Sequence, residues 1–291
     1  MFNIKISYLI KTSIFVFLFT HFSVLFAQDS FGGLALYTVR EDMGKDSQAT
    51  LQAVAEVGYV NIEAAGYENG KFYNYTPQEF KALLRSLNLT PLSSHNSSVS
   101  LDNADKMMAD VKAAGFEYFV VPIPPMGLFK SDSKGMSMKG GAENLADILN
   151  VLGKKANAAG LKLLYHNHDF EFMKDAKGEV VIDYLLEHCD SKFVNFQMDL
   201  YWVTKAGADP LAYFEKHPGR FKLWHVKDMD SEGKFVPVGN GTIDFGRILE
   251  KKERSGMQSY FVEQDRTYKM QPLEAIKVSH EGLKKFGFNN E

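Results

Sequence analysis

The sequence predicts an α/β fold, a single (β/α)8 TIM barrel, on three observations. Eight short apolar runs alternate with longer segments of helical period along the 291 residues, which is the pattern of βα units feeding a parallel sheet. No glycine-rich dinucleotide fingerprint follows the first run, so an open doubly wound sheet is the weaker alternative. No linker or low-complexity stretch divides the chain, and residues 28–291 come close to the ~250 typical of one closed barrel.

Residues 1–27 read as a signal peptide. Lys5 and Lys11 supply positive charge, positions 14–26 are apolar apart from Thr20, His21 and Ser23, and Ala27 offers a small residue before a cut at Gln28. The apolar run is shorter than the roughly 20 residues a membrane span needs. The expectation is an exported chain, periplasmic or secreted, with no stable membrane insertion after cleavage and a barrel domain over 28–291. Strands are expected at 33–38, 59–65, 90–95, 118–123, 161–168, 193–201, 221–228 and 260–265. Helices are expected at 47–57, 77–87, 103–114, 142–159, 182–188 and 273–285. Gly58, Gly115 and Gly160 stand where helix ends require a left-handed residue. The stretch 124–141, with Pro, Gly and Met, reads equally as a lid over the barrel mouth and as a surface loop.

Composition narrows the partners. A net charge of −3 gives no basic footprint for nucleic acid or an anionic membrane. Cys189 is the only cysteine, which excludes an internal disulfide and a metal site built from several thiolates. The oligomeric state is left open.

Active residues of such a barrel come from the C-terminal ends of its strands, and here those ends are polar. They read Asn61-Ile-Glu63, Ser94-His95-Asn96, Tyr165-His166-Asn167-His168-Asp169 with Glu171 beyond, Gln197-Met-Asp199, Trp224-His225-Val-Lys227-Asp228 and Glu263-Gln-Asp265. Side chains two apart share a face of a strand. His166 with His168, Gln197 with Asp199, His225 with Lys227, and Glu263 with Asp265 therefore pair on common faces. So many polar groups in a barrel core need partners, and one divalent ion would satisfy several at once. Imidazole and carboxylate donors without thiolate suit Mn, Co, Zn, Mg or Fe(II). Each residue alone has a plainer role: Asp199 or Glu263 as a helix cap, Glu63 in an ion pair with a nearby cation, Lys227 paired with Asp228. Tyr201, Trp202 and Trp224 would serve as well in the core as on a sugar-facing wall.

The fragments Gly58-Tyr-Val-Asn-Ile-Glu63, Ser93-Ser-His95, Tyr165-His-Asn-His168, Asp199-Leu-Tyr-Trp202, Trp224-His-Val-Lys-Asp228, Gly239-Asn-Gly241-Thr-Ile-Asp244 and Tyr260-Phe-Val-Glu263, in this order and spacing, resemble the xylose isomerase-like sugar phosphate isomerase/epimerase superfamily. The Tyr-His-x-His and His-x-Lys-Asp strands look nearer its inosose dehydratase branch. The resemblance implies one divalent metal held by His166, Asp199, His225 and Glu263. Epimerases of the superfamily carry a glutamate on the fifth strand, where this chain has His166, so one of their two proton-exchanging carboxylates is missing. The related dehydroshikimate dehydratase branch uses a base two positions after the first ligand, the place of His168.

The expected chemistry is proton abstraction beside the ketone of a small sugar or keto-glycoside, followed by elimination or isomerisation. His168 is the candidate base, because histidine titrates near neutrality. Lys227 is the donor to a developing oxyanion or leaving group, and Glu263 and Glu63 are the further acid/base groups. His95, Glu171, Trp202 and Gln197 are the expected substrate contacts. Two rivals are a non-catalytic secreted carbohydrate-binding barrel and an endonuclease IV-like metal phosphodiesterase.

Overall fold

The computed structural model describes residues 32–125, 128–132, 135–138, 140–174 and 178–288. The expected signal peptide at 1–27 lies outside the described residues, as do parts of 124–141. Among the described residues no helix is long and apolar enough to cross a membrane.

Eight parallel strands close into a barrel: β1 Gly32–Ala35, β2 Asn61–Ala64, β3 Thr90–His95, β4 Tyr118–Val121, β5 Lys162–His166, β6 Val194–Asp199, β7 Phe221–Val226 and β8 Ser259–Val262. Each pairs with its sequence neighbours, and β1 hydrogen-bonds β8 to close the ring. The longer crossover helices are α2 Ser47–Val57, α3 Pro77–Ser86, α4 Ala104–Ala113, α5 Gly141–Ala158, α6 Val181–His188 and α11 Pro272–Leu283, and the shorter ones are α1 Arg40–Lys45, α7 Leu200–Lys205, α8 Pro210–Lys216, α9 Phe245–Leu249 and α10 Lys252–Ser255. Their starts are locally encoded. Asp46 caps α2, and Thr76 with Glu79 forms a capping box ahead of Pro77 in α3. Gly58, Gly115 and Gly160 take φ of 111°, 93° and 73° at or just past helix ends, where a Cβ would be strained.

Most expected strands overrun the observed ones at their C-terminal ends. Leu36–Val39 is a 3-10 turn rather than part of β1. Tyr201 lies in a short helix, α7 Leu200–Lys205, because the Asp199 side chain caps it and ends β6. Within 124–141, Phe129–Asp132 and Gly135–Met138 form an antiparallel hairpin.

Alternation along the strands separates two apolar layers. Leu163, Tyr165, Trp224, Tyr260 and Val262 belong to the large core between barrel and helices. Leu164, Leu223 and Phe261 belong to a small cluster with Ala35, Tyr118 and Val120, which places them inside the barrel. His166, His225 and Glu263 each follow an inward residue by two, so they too face inward, one layer nearer the C-terminal mouth.

Candidate active site

The inward layer is a packed polar network. His225, fully buried, lies between two carboxylates: its Nε2 is 2.5 Å from Glu63 Oε1 and its Nδ1 is 2.8 Å from Glu263 Oε2. Burial opposes charge on this ring, but Glu63 and Glu263 outweigh it and raise its pKa to about 10. Glu63 also accepts from Ser93 Oγ at 2.6 Å and from Gln197 Nε2 at 2.7 Å. Gln197 Oε1 meets His95 Nε2 at 2.7 Å and His166 Nδ1 at 2.9 Å. Those two nitrogens therefore carry the protons, and His166 keeps a lone pair on Nε2, 3.5 Å from Asp199 Oδ2. Asp199 divides its oxygens. Oδ1 accepts from the backbone of Tyr201 and Trp202, both at 3.0 Å, while Oδ2 turns into the cluster. The cap and the inward-facing carboxylate are the same residue.

Lys227 enters from the same face. Its ammonium lies 2.5 Å from Glu263 Oε2, 2.8 Å from Asp199 Oδ2 and 2.9 Å from Asp265 Oδ1. Burial disfavours its charge, yet Asp199, Asp265 and Glu263 hold its pKa well above the ordinary lysine value. The expected partner Asp228 is engaged elsewhere: it accepts backbone N–H groups of Met229, Gly239, Gly241 and Ile243. Gly241 has no room for a side chain, since a Cβ there would collide with that carboxylate.

Several sequence expectations are corrected by this geometry. Gln197 is fully buried and spends its amide on His95, His166 and Glu63, so it positions ligand-type side chains rather than meeting a substrate. Glu63, the expected acid/base group, is likewise fully buried and hydrogen-bonded to His225. Glu171, also fully buried, accepts from Tyr165 Oη at 2.5 Å and from the His168 backbone at 2.8 Å. It fixes the turn that carries His168 and leaves no oxygen for a sugar. Lys227 faces three carboxylates, which hold it as their counter-ion. Trp224 and Tyr201 are core, Trp224 stacking on Phe214 with centroids 5.2 Å apart.

Four residues form the more accessible rim of the layer: His95, His168, Trp202 and Asp265. The His168 ring lies beside Trp202 at 5.5 Å and His166 at 5.0 Å. His168 Nδ1 and Trp202 Nε1 are buried polar atoms without hydrogen-bond partners among the described residues. An acceptor-capable nitrogen and a donor thus stand side by side, both unpaired. Burial first, then the charge of Lys227, lowers the His168 pKa to about 3, below the range of an unperturbed histidine, so the ring is neutral at physiological pH.

The donor set suits a divalent cation. Asp199, His225 and Glu263 each present a ligand atom within 4.8 Å of the others, a mixed oxygen and nitrogen set without sulfur. Asp199 Oδ2 makes no well-aligned hydrogen bond although Lys227 is close, and four carboxylates (Glu63, Asp199, Glu263, Asp265) outnumber the two cations His225 and Lys227. Glu63 behind His225 is the outer carboxylate that a ligating imidazole commonly needs to fix its orientation. His95, His166 and His225 also bring one nitrogen each within 4.8 Å, but His95 and His166 each point a nitrogen at Gln197, and that trio lacks a carboxylate. His166 joins the carboxylate set through Nε2 alone.

A closed parallel barrel with a carboxylate–imidazole cluster at the C-terminal ends of β5 to β8 defines the class of TIM-barrel proteins with a polar, metal-competent mouth. The profile of the xylose isomerase-like TIM barrel family matches residues 51–286, and the chain belongs to that family. An inosose dehydratase from Clostridium perfringens is 25% identical over 277 residues, covering 81% of this chain and 90% of that relative. An inosose dehydratase from Salmonella agona is 32% identical over a shorter 123-residue stretch, 36% of this chain and 40% of its own length. The structure of a sugar phosphate isomerase/epimerase from Parabacteroides distasonis superposes with a TM-score of 0.76 at 26% identity, covering 91% of this chain and 98% of that one. IolI, whose crystal structure holds a zinc atom, superposes with a TM-score of 0.66 at 16% identity, over 89% of this chain and 98% of that one, a likeness of fold.

Proposed function

We propose that this chain is an exported, metal-dependent enzyme that removes the proton beside a sugar ketone and expels a β-substituent as water or an alcohol. The observation that carries the reading is the pair of unpaired atoms, His168 Nδ1 and Trp202 Nε1, set beside the Asp199–His225–Glu263 cluster. His166, Asp199, His225 and Glu263 would hold one divalent ion. When bound, that ion supplies Lewis-acid polarisation of the carbonyl.

The chain's own residues account for the rest. Neutral His168 accepts the α-proton, and its low basicity calls for a carbon acidified by the adjacent carbonyl. Lys227, kept charged by its three carboxylates, adds fixed positive charge near the developing enolate. The Trp202 indole N–H orients a substrate hydroxyl. The proton on His168 then stands ready for the departing oxygen, so the C–H electron pair becomes the new double bond and the base is restored. Elimination is favoured over epimerisation because the fifth-strand position offers His166, whose Nδ1 is occupied by Gln197, and not a second carboxylate base. The inosose dehydratase relatives support the same direction.

The test is a panel of keto-sugars and keto-glycosides incubated in deuterated water with protein saturated in Mn2+, Co2+ or Zn2+. The expected result is loss of water or alcohol that ceases with excess chelator, and one ion per chain by elemental analysis. Deuterium incorporation without loss of a leaving group would establish isomerase chemistry instead. Full turnover in chelator would rule out the metal. Export is proposed on the 1–27 pattern, and N-terminal sequencing of purified native protein should begin near Gln28; recovery of Met1 would overturn it.

A further inference from the structure

A cleft of about 530 Å³ opens beside the polar layer, between the turn after β1 and the segment that joins β8 to α11. Asp265, the carboxylate that accepts from Lys227, lines it, so the cleft adjoins the proposed reaction centre. Gln264 lines it too. That residue is 4% exposed, its backbone N–H donates to Thr38 Oγ1 at 3.1 Å and its Nε2 to Arg266 O, but its Oε1 is buried with no partner among the described residues. A buried acceptor left unmatched costs free energy until a donor arrives.

Five large hydrophobic side chains are exposed among the described residues, and one of them, Tyr268, lines this cleft. Tyr268, 55% exposed, lies in its wall and also in the wall of a neighbouring cleft of about 460 Å³ that shares Gln264. Tyr37, 41% exposed, is held under the Arg40 guanidinium, 4.3 Å from its ring centroid. Arg40 is itself pinned by the carbonyls of Tyr37 and Asp265, at 2.8 and 3.0 Å. Charges of both signs are present, Arg40, Arg266 and Lys269 with Glu41 and Asp265. That mixture suits a neutral ligand rich in hydroxyls better than a strong anion. An exposed aromatic face accepts the C–H face of a sugar ring, and its electron-rich centre favours that approach.

We infer that this cleft is a subsite for a second sugar ring: the substrate is a glycoside whose ketose residue sits at His168 and whose other ring lies against Tyr268, with a hydroxyl donating to Gln264 Oε1. The inference rests on the sugar-ketone reading above and narrows it to a two-ring glycoside.

The probes are D-fructose, a single keto-sugar, and lactulose and isomaltulose, which carry a second ring at different linkages. Calorimetric titration of the metal-loaded full chain should give at least one of the disaccharides about tenfold tighter binding than fructose, close to the ~1.4 kcal/mol per decade that a well-used ring contact supplies. Tyr268→Ala should bring that affinity ratio close to one. Equal binding of fructose and both disaccharides overturns the subsite and leaves the sugar reading standing. A ratio that survives Tyr268→Ala also overturns this placement of the second ring. Absence of binding by all three sugars overturns the sugar reading and this inference with it.

Discussion

Replacing His168 with Ala should lower turnover by about 10²–10⁴-fold, the usual contribution of a positioned general base, while metal content and melting temperature stay near the wild-type values. The ring is only partly buried, stacks on Phe170, lies tilted against Trp202, and makes no hydrogen bond through Nδ1 among the described residues. Its removal therefore leaves no partner of Nδ1 unsatisfied. His166→Ala should behave differently. That ring is 1% exposed, donates to Gln197 and turns Nε2 toward Asp199 Oδ2. Its loss should reduce metal occupancy at limiting metal, and excess metal should restore part of the activity. Metal content, melting temperature and turnover of the two variants decide the matter together. If His168→Ala loses the ion and His166→Ala keeps it, the roles are exchanged. If both simply lower the melting temperature, neither has the assigned role.

That pair of histidines also shows what the sequence carries. Strand alternation is a local property, so the common inward face of His166, Asp199, His225, Lys227 and Glu263 can be read from spacing once the strands are located. Strand length is less local. The residues that follow β1 and β6 look like continuing strand but leave the ladder, because Asp199 caps α7 and the backbone after Ala35 turns into a 3-10 segment. Saturation of hydrogen bonds is not visible in one dimension. Gln197, Glu63 and Glu171 have the right chemistry for substrate contact. Only their neighbours, separated by 102, 134 and 162 positions in three of these bonds, show that their polar atoms are already used. Ion pairing across β7 and β8 is equally hidden: Asp228 follows Lys227 in sequence, but consecutive residues point to opposite faces, and Asp265 is the neighbour in space. The one available signal was the same period of two, since Lys227 and Asp265 both continue inward rows.

The counter-ion role of Lys227 makes Lys227→Met the variant with the largest expected loss of stability. Methionine keeps the apolar stem but leaves Asp199, Glu263 and Asp265 without the ammonium that contacts all three. Breaking a buried ion pair by removing one partner costs ~3–5 kcal/mol, which for a chain of this size corresponds to a melting-temperature drop of roughly 10 °C. The sign of its pH dependence follows from the carboxylates. Burial already raises Asp199 to about 6, with Lys227 opposing the rise; without the lysine it should rise further. A carboxyl group whose folded pKa lies above its unfolded value of ~3.9 holds a proton that the unfolded chain has lost, so stability declines as pH rises through that window. The deficit of Lys227→Met should therefore be smallest near pH 5 and largest near pH 8. Thermal unfolding of both proteins across that range gives the answer. A deficit that does not change with pH would assign the loss to packing of the lysine stem and remove the counter-ion role. The deficit should also shrink when Mn2+ is added, because a divalent cation among Asp199, His225 and Glu263 would neutralise the same oxygens, and stabilisation by a ligand that binds only the folded chain grows with its concentration over Kd.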